Sequence, residues 1–204
     1  PEPKRRRLQR NPSASGPFTM FSPLYSLPGS PSVQSLAFSD SEVQDWWTLD
    51  MLEPDSLFTS AVTEIRKYMS DFASGQKDPF WHRKSGKVCL SVVLCRGQDD
   101  KLEAYRGMNT EVSLPAGSLC AERAAIARAA SDFRPAASIV AIITADPGGR
   151  LNPLWPCEVC QSWLSKLKAQ NPEISVIAVS STACDSFAVR VNGELRPPPQ
   201  QLPP

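Results

Sequence analysis

Apolar residues return along this chain with two different periods, and the switches between them outline its elements. Leu57, Phe58, Ala61, Ile65, Tyr68, Met69 and Phe72 recur at the three- and four-residue steps of one helical face. Asp55 stands where an N-cap is expected and Gly75 where a helix stops. Residues 41–53 (SEVQDWWTLDMLE) carry a shorter version of that pattern around Trp46 and Trp47. They predict a short amphipathic helix that packs on its own domain or docks on a partner. The pattern then changes to runs suited to strands. Residues 88–94 are continuously apolar, Gly97, Asp99 and Asp100 mark a turn, and 102–108 predicts the returning strand. The Ala-rich stretch 120–130 predicts a helix that ends before Pro135, and 138–144 a buried strand. Pro156, suited to a first helical turn, opens a helix to about Gln170. Residues 174–180 and 187–191 predict two more strands, the last closed by an Asn192-Gly193 turn. The order α-β-β-α-β-α-β-β predicts a mixed sheet covered by helices on both faces.

Composition divides the 204 residues into one domain and two tails. Residues 1–39 are rich in Ser, Pro and Arg, poor in acids and without apolar periodicity, so they are expected to be a disordered basic tail. Residues 40–195 form the expected domain, and 196–204 a disordered Pro-rich end. The KRRR run at 4–7 reads as a nuclear import signal, as part of an organellar transit segment, or as solvated tail. The cytoplasm is the expected location, with nucleus and organelle as alternatives. Ser22-Pro23 and Ser30-Pro31 suit proline-directed phosphorylation. The chain opens on Pro1 rather than Met, as expected of a processed product or a piece of a longer protein. No run of eighteen apolar residues predicts a membrane span.

Charge narrows the partners. Residues 1–39 carry +4, and the remaining 165 carry 17 basic against 20 acidic groups, or −3. That balance argues against a broad basic face for nucleic acid. Three of the six cysteines, Cys89, Cys95 and Cys184, show no disulfide framework and read as buried thiols in a reducing compartment. Cys89 and Cys95, six apart, are expected on one face of a strand.

The other three carry chemistry. Cys157 and Cys160 lie three apart at a helix start, on one helical face, so both sulfurs can reach one metal. Cys120 opens another helix, and two helix N-termini would favour thiolates there. Three thiolates hold Zn²⁺ and leave its fourth position for water; Glu122 can then move that water's protons. Zn²⁺ with three thiolates sums to −1, and Arg123 stands beside Glu122 to offset it. A purely structural zinc would need a fourth protein ligand, and His82, the only histidine, lies in a polar segment before the first strand.

The Cys120-Ala-Glu-Arg123 and Pro156-Cys-Glu-Val-Cys160 motifs, with Asn109-Thr-Glu111 eleven residues upstream of Cys120, resemble the cytidine deaminase family. The likeness covers about 88–191 and is nearest the compact three-cysteine nucleoside enzymes. It implies a three-layer α/β/α sandwich with a mixed five-stranded sheet, and a homodimer or homotetramer. It implies Zn²⁺ on Cys120, Cys157 and Cys160, with Glu122 as catalyst. The backbone near Ala121 and Cys157 would meet the base edge. Asn109 and Glu111, two apart on a strand end, would hold sugar hydroxyls. Glu111 would repel a phosphate, which favours a free nucleoside. The implied activity is hydrolysis of cytidine or deoxycytidine to the uracil nucleoside and ammonia.

Several positions depart from the family pattern. Lys87 stands where a pocket phenylalanine is usual, with Phe80 or Trp81 as substitutes, and Leu90 replaces a small glycine. Trp155 precedes Pro156 and is positioned to stack on a base or obstruct entry. The stretch 115–119 is closer to blasticidin-S deaminases. Three alternatives stay open: a deaminase of another aminopyrimidine, a polynucleotide-editing module, and a non-catalytic scaffold.

Overall fold

The computed structural model describes residues 46–113 and 117–196. The expectations for 1–39, for the tail beyond 196, and for Pro115 and Ala116 fall outside those residues.

The chain enters as an edge strand. β1 (Trp47–Thr48) and a 3-10 turn at Leu49–Met51 occupy the described part of the segment expected to be a helix. Tertiary pairing explains the difference, because so short an isolated helix is marginal. The Trp47 ring lies 4.9 Å from Phe58 and 5.9 Å from Phe187, and its Nε1 donates to the Arg196 carbonyl at 3.0 Å. Trp47 thus packs on its own domain.

α1 (Leu57–Ser74) follows the predicted face, burying Ala61, Val62, Ile65 and Met69. Its cap is Ser56 rather than Asp55: the Ser56 hydroxyl accepts from the Thr59 N–H at 3.1 Å. β2 (Leu90–Arg96) and β3 (Leu102–Met108) form the expected hairpin. β2 begins two residues late because the Asn109 side chain holds the preceding backbone, accepting from Cys89 N at 2.8 Å and donating to Lys87 O at 3.0 Å. β4 (Thr110–Glu111) and β5 (Ser118–Leu119) make a small separate ladder. Then come α2 (Ala121–Ser131), β6 (Ile139–Ala145), α3 (Glu158–Lys168), β7 (Ser175–Val179), β8 (Ser186–Val191) and β9 (Glu194–Arg196). α3 starts after Pro156 rather than at it, with Cys157 as the cap. Asn192 and Gly193, at φ 54° and 89°, supply the left-handed backbone that turns β8 into β9.

The sheet order is β1-β8-β7-β6-β2-β3, with β9 against β8. Five principal strands match the expected five, and the short β1 and β9 raise the count to seven. β6 and β7 are parallel and the other pairs antiparallel, so the sheet is mixed as predicted. Two cores flank it. α1 covers Leu90, Val92, Leu94, Ile143 and Ile177 on one face. α2 and α3 cover Val93, Cys95, Ile142 and Val176 on the other, through Ala125, Ile126, Ala129 and Leu164. The three layers follow from period-two alternation in strands buried on both sides. No helix among the described residues is long and apolar enough to cross a membrane.

Candidate metal centre

Two helix starts bring the cysteines together. Cys120 is the N-cap of α2, Cys157 the N-cap of α3, and Cys160 lies in the first turn of α3. Neither thiol caps the backbone of its own helix. Cys120 Sγ is 3.6 Å from Cys157 Sγ, which is 3.6 Å from Cys160 Sγ, and all three lie within 4.8 Å of one another. Sulfurs bound tetrahedrally to one Zn²⁺ at about 2.3 Å would sit about 3.8 Å apart. The spacing therefore fits zinc, with three ligands and one position to spare. No fourth side chain joins this group among the described residues, and His82 lies outside it.

The electrostatics suit thiolates, the form in which cysteine binds a metal. The partial positive ends of two helices face the sulfurs. Arg123 donates to Cys120 Sγ at 3.7 Å and to the Ser118 carbonyl at 3.3 Å, the neighbour anticipated from its place beside Glu122. Hydrogen bonding from Cys160, reinforced by Arg123 and Cys157 against the effect of burial, holds the Cys120 thiol down at about 5. Cys160 moves the other way, keeping its proton because it donates to Cys120 and is buried. Glu122, only 6% exposed in the first turn of α2, has its carboxyl pushed up, first by burial and then by the Cys120 charge. A cation at the sulfurs would oppose that shift. Ala121 is fully buried under β3.

A fourth thiol, missed as a neighbour in the sequence, stands close by. Cys89 is pushed up to about 12, by burial first and then by Glu122, Asp146, Cys120 and Glu111. Its alternation with Cys95, buried in the α2-side core, was the available signal.

Asn109 and Glu111 are both engaged by one segment. Asn109 clamps the backbone at Lys87 and Cys89. Glu111 accepts from Ser85 N at 2.8 Å and from the Ser85 hydroxyl at 2.7 Å. Burial opposes its ionisation, but Ser85, Lys84 and His82 prevail and lower its pKa. Trp155 packs on the α2–α3 core, with the Arg190 guanidinium over its ring at 4.2 Å. Phe80 and Trp81 pair edge to face at 5.3 Å, half exposed. Trp81 and His82 border a cavity of about 650 Å³ with Phe72 and Met108; none of the three cysteines lines it.

The model of the LmjF365940 subfamily of CDD/CDA-like deaminases matches residues 50–145 and 135–191. Among solved structures, the chain is similar to a cytidine deaminase from Burkholderia pseudomallei, at 19% identity over 66% of this chain and 92% of that one, with TM-score 0.49. It is also similar to a cytidine deaminase from Mycobacterium leprae, at 17% identity over 67% of this chain and 94% of that one, with TM-score 0.44. No curated protein matches the sequence. The family match, rather than these structural likenesses, carries the assignment.

Proposed function

The chain belongs to the CDD/CDA-like deaminase family, and from that premise we propose that it hydrolyses the cytosine of cytidine or deoxycytidine to uracil, releasing ammonia. The observation that carries this reading is the grouping of three sulfurs at zinc spacing with the buried Glu122 two residues after Cys120, in the first turn of α2. Cys120, Cys157 and Cys160 would hold the ion. Bound Zn²⁺ supplies Lewis acidity that makes water a nucleophile near neutral pH.

The rest is the work of the chain. Glu122 would accept a proton from the attacking water and deliver it to the ring nitrogen, then take the second proton from the added hydroxyl and pass it to the departing amine as the carbonyl forms. The new C–O bond and the broken C–N bond consume one water and release one ammonia. Its place suits Glu122 to this, because the first turn of α2 holds the carboxyl out of bulk water two residues from Cys120. Arg123 would offset the charge of three thiolates, and the buried backbone at Ala121 would meet the base edge. Asn109 and Glu111 would turn from residues 85–89 toward a sugar when substrate enters. The deaminase domain spans about 40–195 in this reading, as a homodimer or homotetramer.

Ammonia release from cytidine, deoxycytidine, cytosine and single-stranded DNA, measured on zinc-assayed protein, tests it. About one zinc per chain is expected, with turnover on at least one cytosine compound. Glu122→Ala should abolish release, at least about 10³-fold, while zinc stays bound. Full activity in metal-free protein would sink the mechanism.

A further inference from the structure

A cavity of about 1040 Å³ is lined by none of the three cysteines, and it is strongly cationic. Arg66 from α1, Lys77 just beyond it, Lys87 and Arg150 all line it. None of the four forms an ion pair among the described residues. Arg66 donates to the carbonyls of Ala183 and Cys184 at 2.8 and 3.0 Å, and Lys77 lies over the Phe72 ring at 5.0 Å. Neither partner is an anion. A single carboxylate, Asp146, reaches the wall, and its oxygens accept from the N–H groups of Gly148 at 2.7 Å and Leu151 at 3.0 Å. Four cations and one carboxylate thus gather at one cavity of a body whose net charge is −3 over residues 40–204. Like charges held together in a concave site repel one another and focus a field that attracts an anion.

One segment joins this cavity to the candidate centre. Residues 85–88 line the cavity, while Ser85 holds Glu111 and the Asn109 amide spans Lys87 and Cys89. The next residue, Cys89, is held by Asn109 again, its carbonyl accepting from Asn109 N at 3.1 Å. Glu111, which from sequence argued against a phosphate, is engaged by Ser85 and offset by Lys84, and it does not line the cavity.

We propose that this cavity receives the phosphate of a 5′-nucleotide whose cytosine lies at the thiols, so that the substrate class is a nucleoside phosphate. The assignment rests on the deaminase reading, and the test separates the two. Zinc-loaded protein is titrated calorimetrically at low salt with cytidine, cytidine 5′-monophosphate, inorganic pyrophosphate and single-stranded oligodeoxycytidine. The monophosphate should bind at least about tenfold more tightly than cytidine, as charge-assisted hydrogen bonds to phosphate would give. Lys77→Gln with Arg150→Gln should close that gap and leave cytidine binding unchanged, whereas Lys77→Arg should preserve it. Both side chains are exposed, so the variants should fold, and their melting curves check this. Equal binding of cytidine and its monophosphate overturns the proposal, as does a preference that survives the double change. Tighter binding of the oligonucleotide than of the monophosphate overturns it in favour of a polynucleotide. Pyrophosphate carries no base: if the double variant loses it while no cytosine compound is deaminated, the anion site stands and the deaminase reading fails. Cytidine turnover without any phosphate preference is the reverse result.

Discussion

Glu111 carries a pH signature that follows from its hydrogen bonds. Its carboxylate holds Ser85 through two hydrogen bonds, and its pKa lies below the ordinary glutamate value of 4.5. A carboxylate lowered by folding contributes stability above its unfolded pKa and loses it as pH falls through the folded one. Glu111→Gln should therefore cost up to about 1 kcal/mol near pH 7, since the pair is solvent-screened. The difference from the unsubstituted chain should vanish at pH values below the lowered pKa. Urea melts across that range check this, and a difference that grows on acidification would contradict it. Cys157 and Cys160 were readable at this scale because helical spacing ties them, whereas Cys120 was set beside them only by its likeness to a family motif. The partners of Asn109 and Glu111 were not, because Ser85, Lys87 and Cys89 lie 20 to 26 residues away.

At the scale of elements, Gly107 decides how closely α2 approaches the sheet. A Cβ there would fall 2.3 Å from Ala125 N and 2.4 Å from Ala121 O, in backbone that cannot yield. Gly107→Val should push α2 outward and carry Cys120 and Glu122 with it. We expect a loss of about 1–3 kcal/mol or more, as for overpacked cores, together with weaker zinc retention. Chemical melts and metal analysis after dialysis give both readouts; unchanged values in both would show that α2 tolerates the shift. The elements that were legible had strong periodicity: the apolar face of α1 and the whole of β3. Asp55 and Ser56 are equally good caps by type, so only the Ser56–Thr59 bond distinguishes them. β1 escaped prediction because a two-residue strand has no period; the pairing of Trp47 with Phe187 creates it.

For the molecule as a whole, a metal at the junction of α2 and α3 would join two helices on one face of the sheet. An ion that binds only the folded chain stabilises it by mass action, by about 4 kcal/mol at a thousandfold excess over its dissociation constant. For a domain of this size that is roughly 10 °C in Tm. Chelation should lower the melting temperature by about that amount, and Zn²⁺ alone should restore it. A chelator that leaves Tm unchanged would remove the metal from the fold. The sequence by itself determined the alternation of helices and strands, the layering that comes from two-sided burial, and the three sulfurs with Glu122 beside them. Each of these depends on spacing within one element or on the periodicity of a strand. Only the tertiary structure decided that the sulfurs of two helices meet at 3.6 Å, that Trp155 is taken up by Arg190, and that Lys87 shares a cavity with three other cations. Those contacts join residues far apart in the chain, and a one-dimensional pattern holds no record of which distant positions share a space.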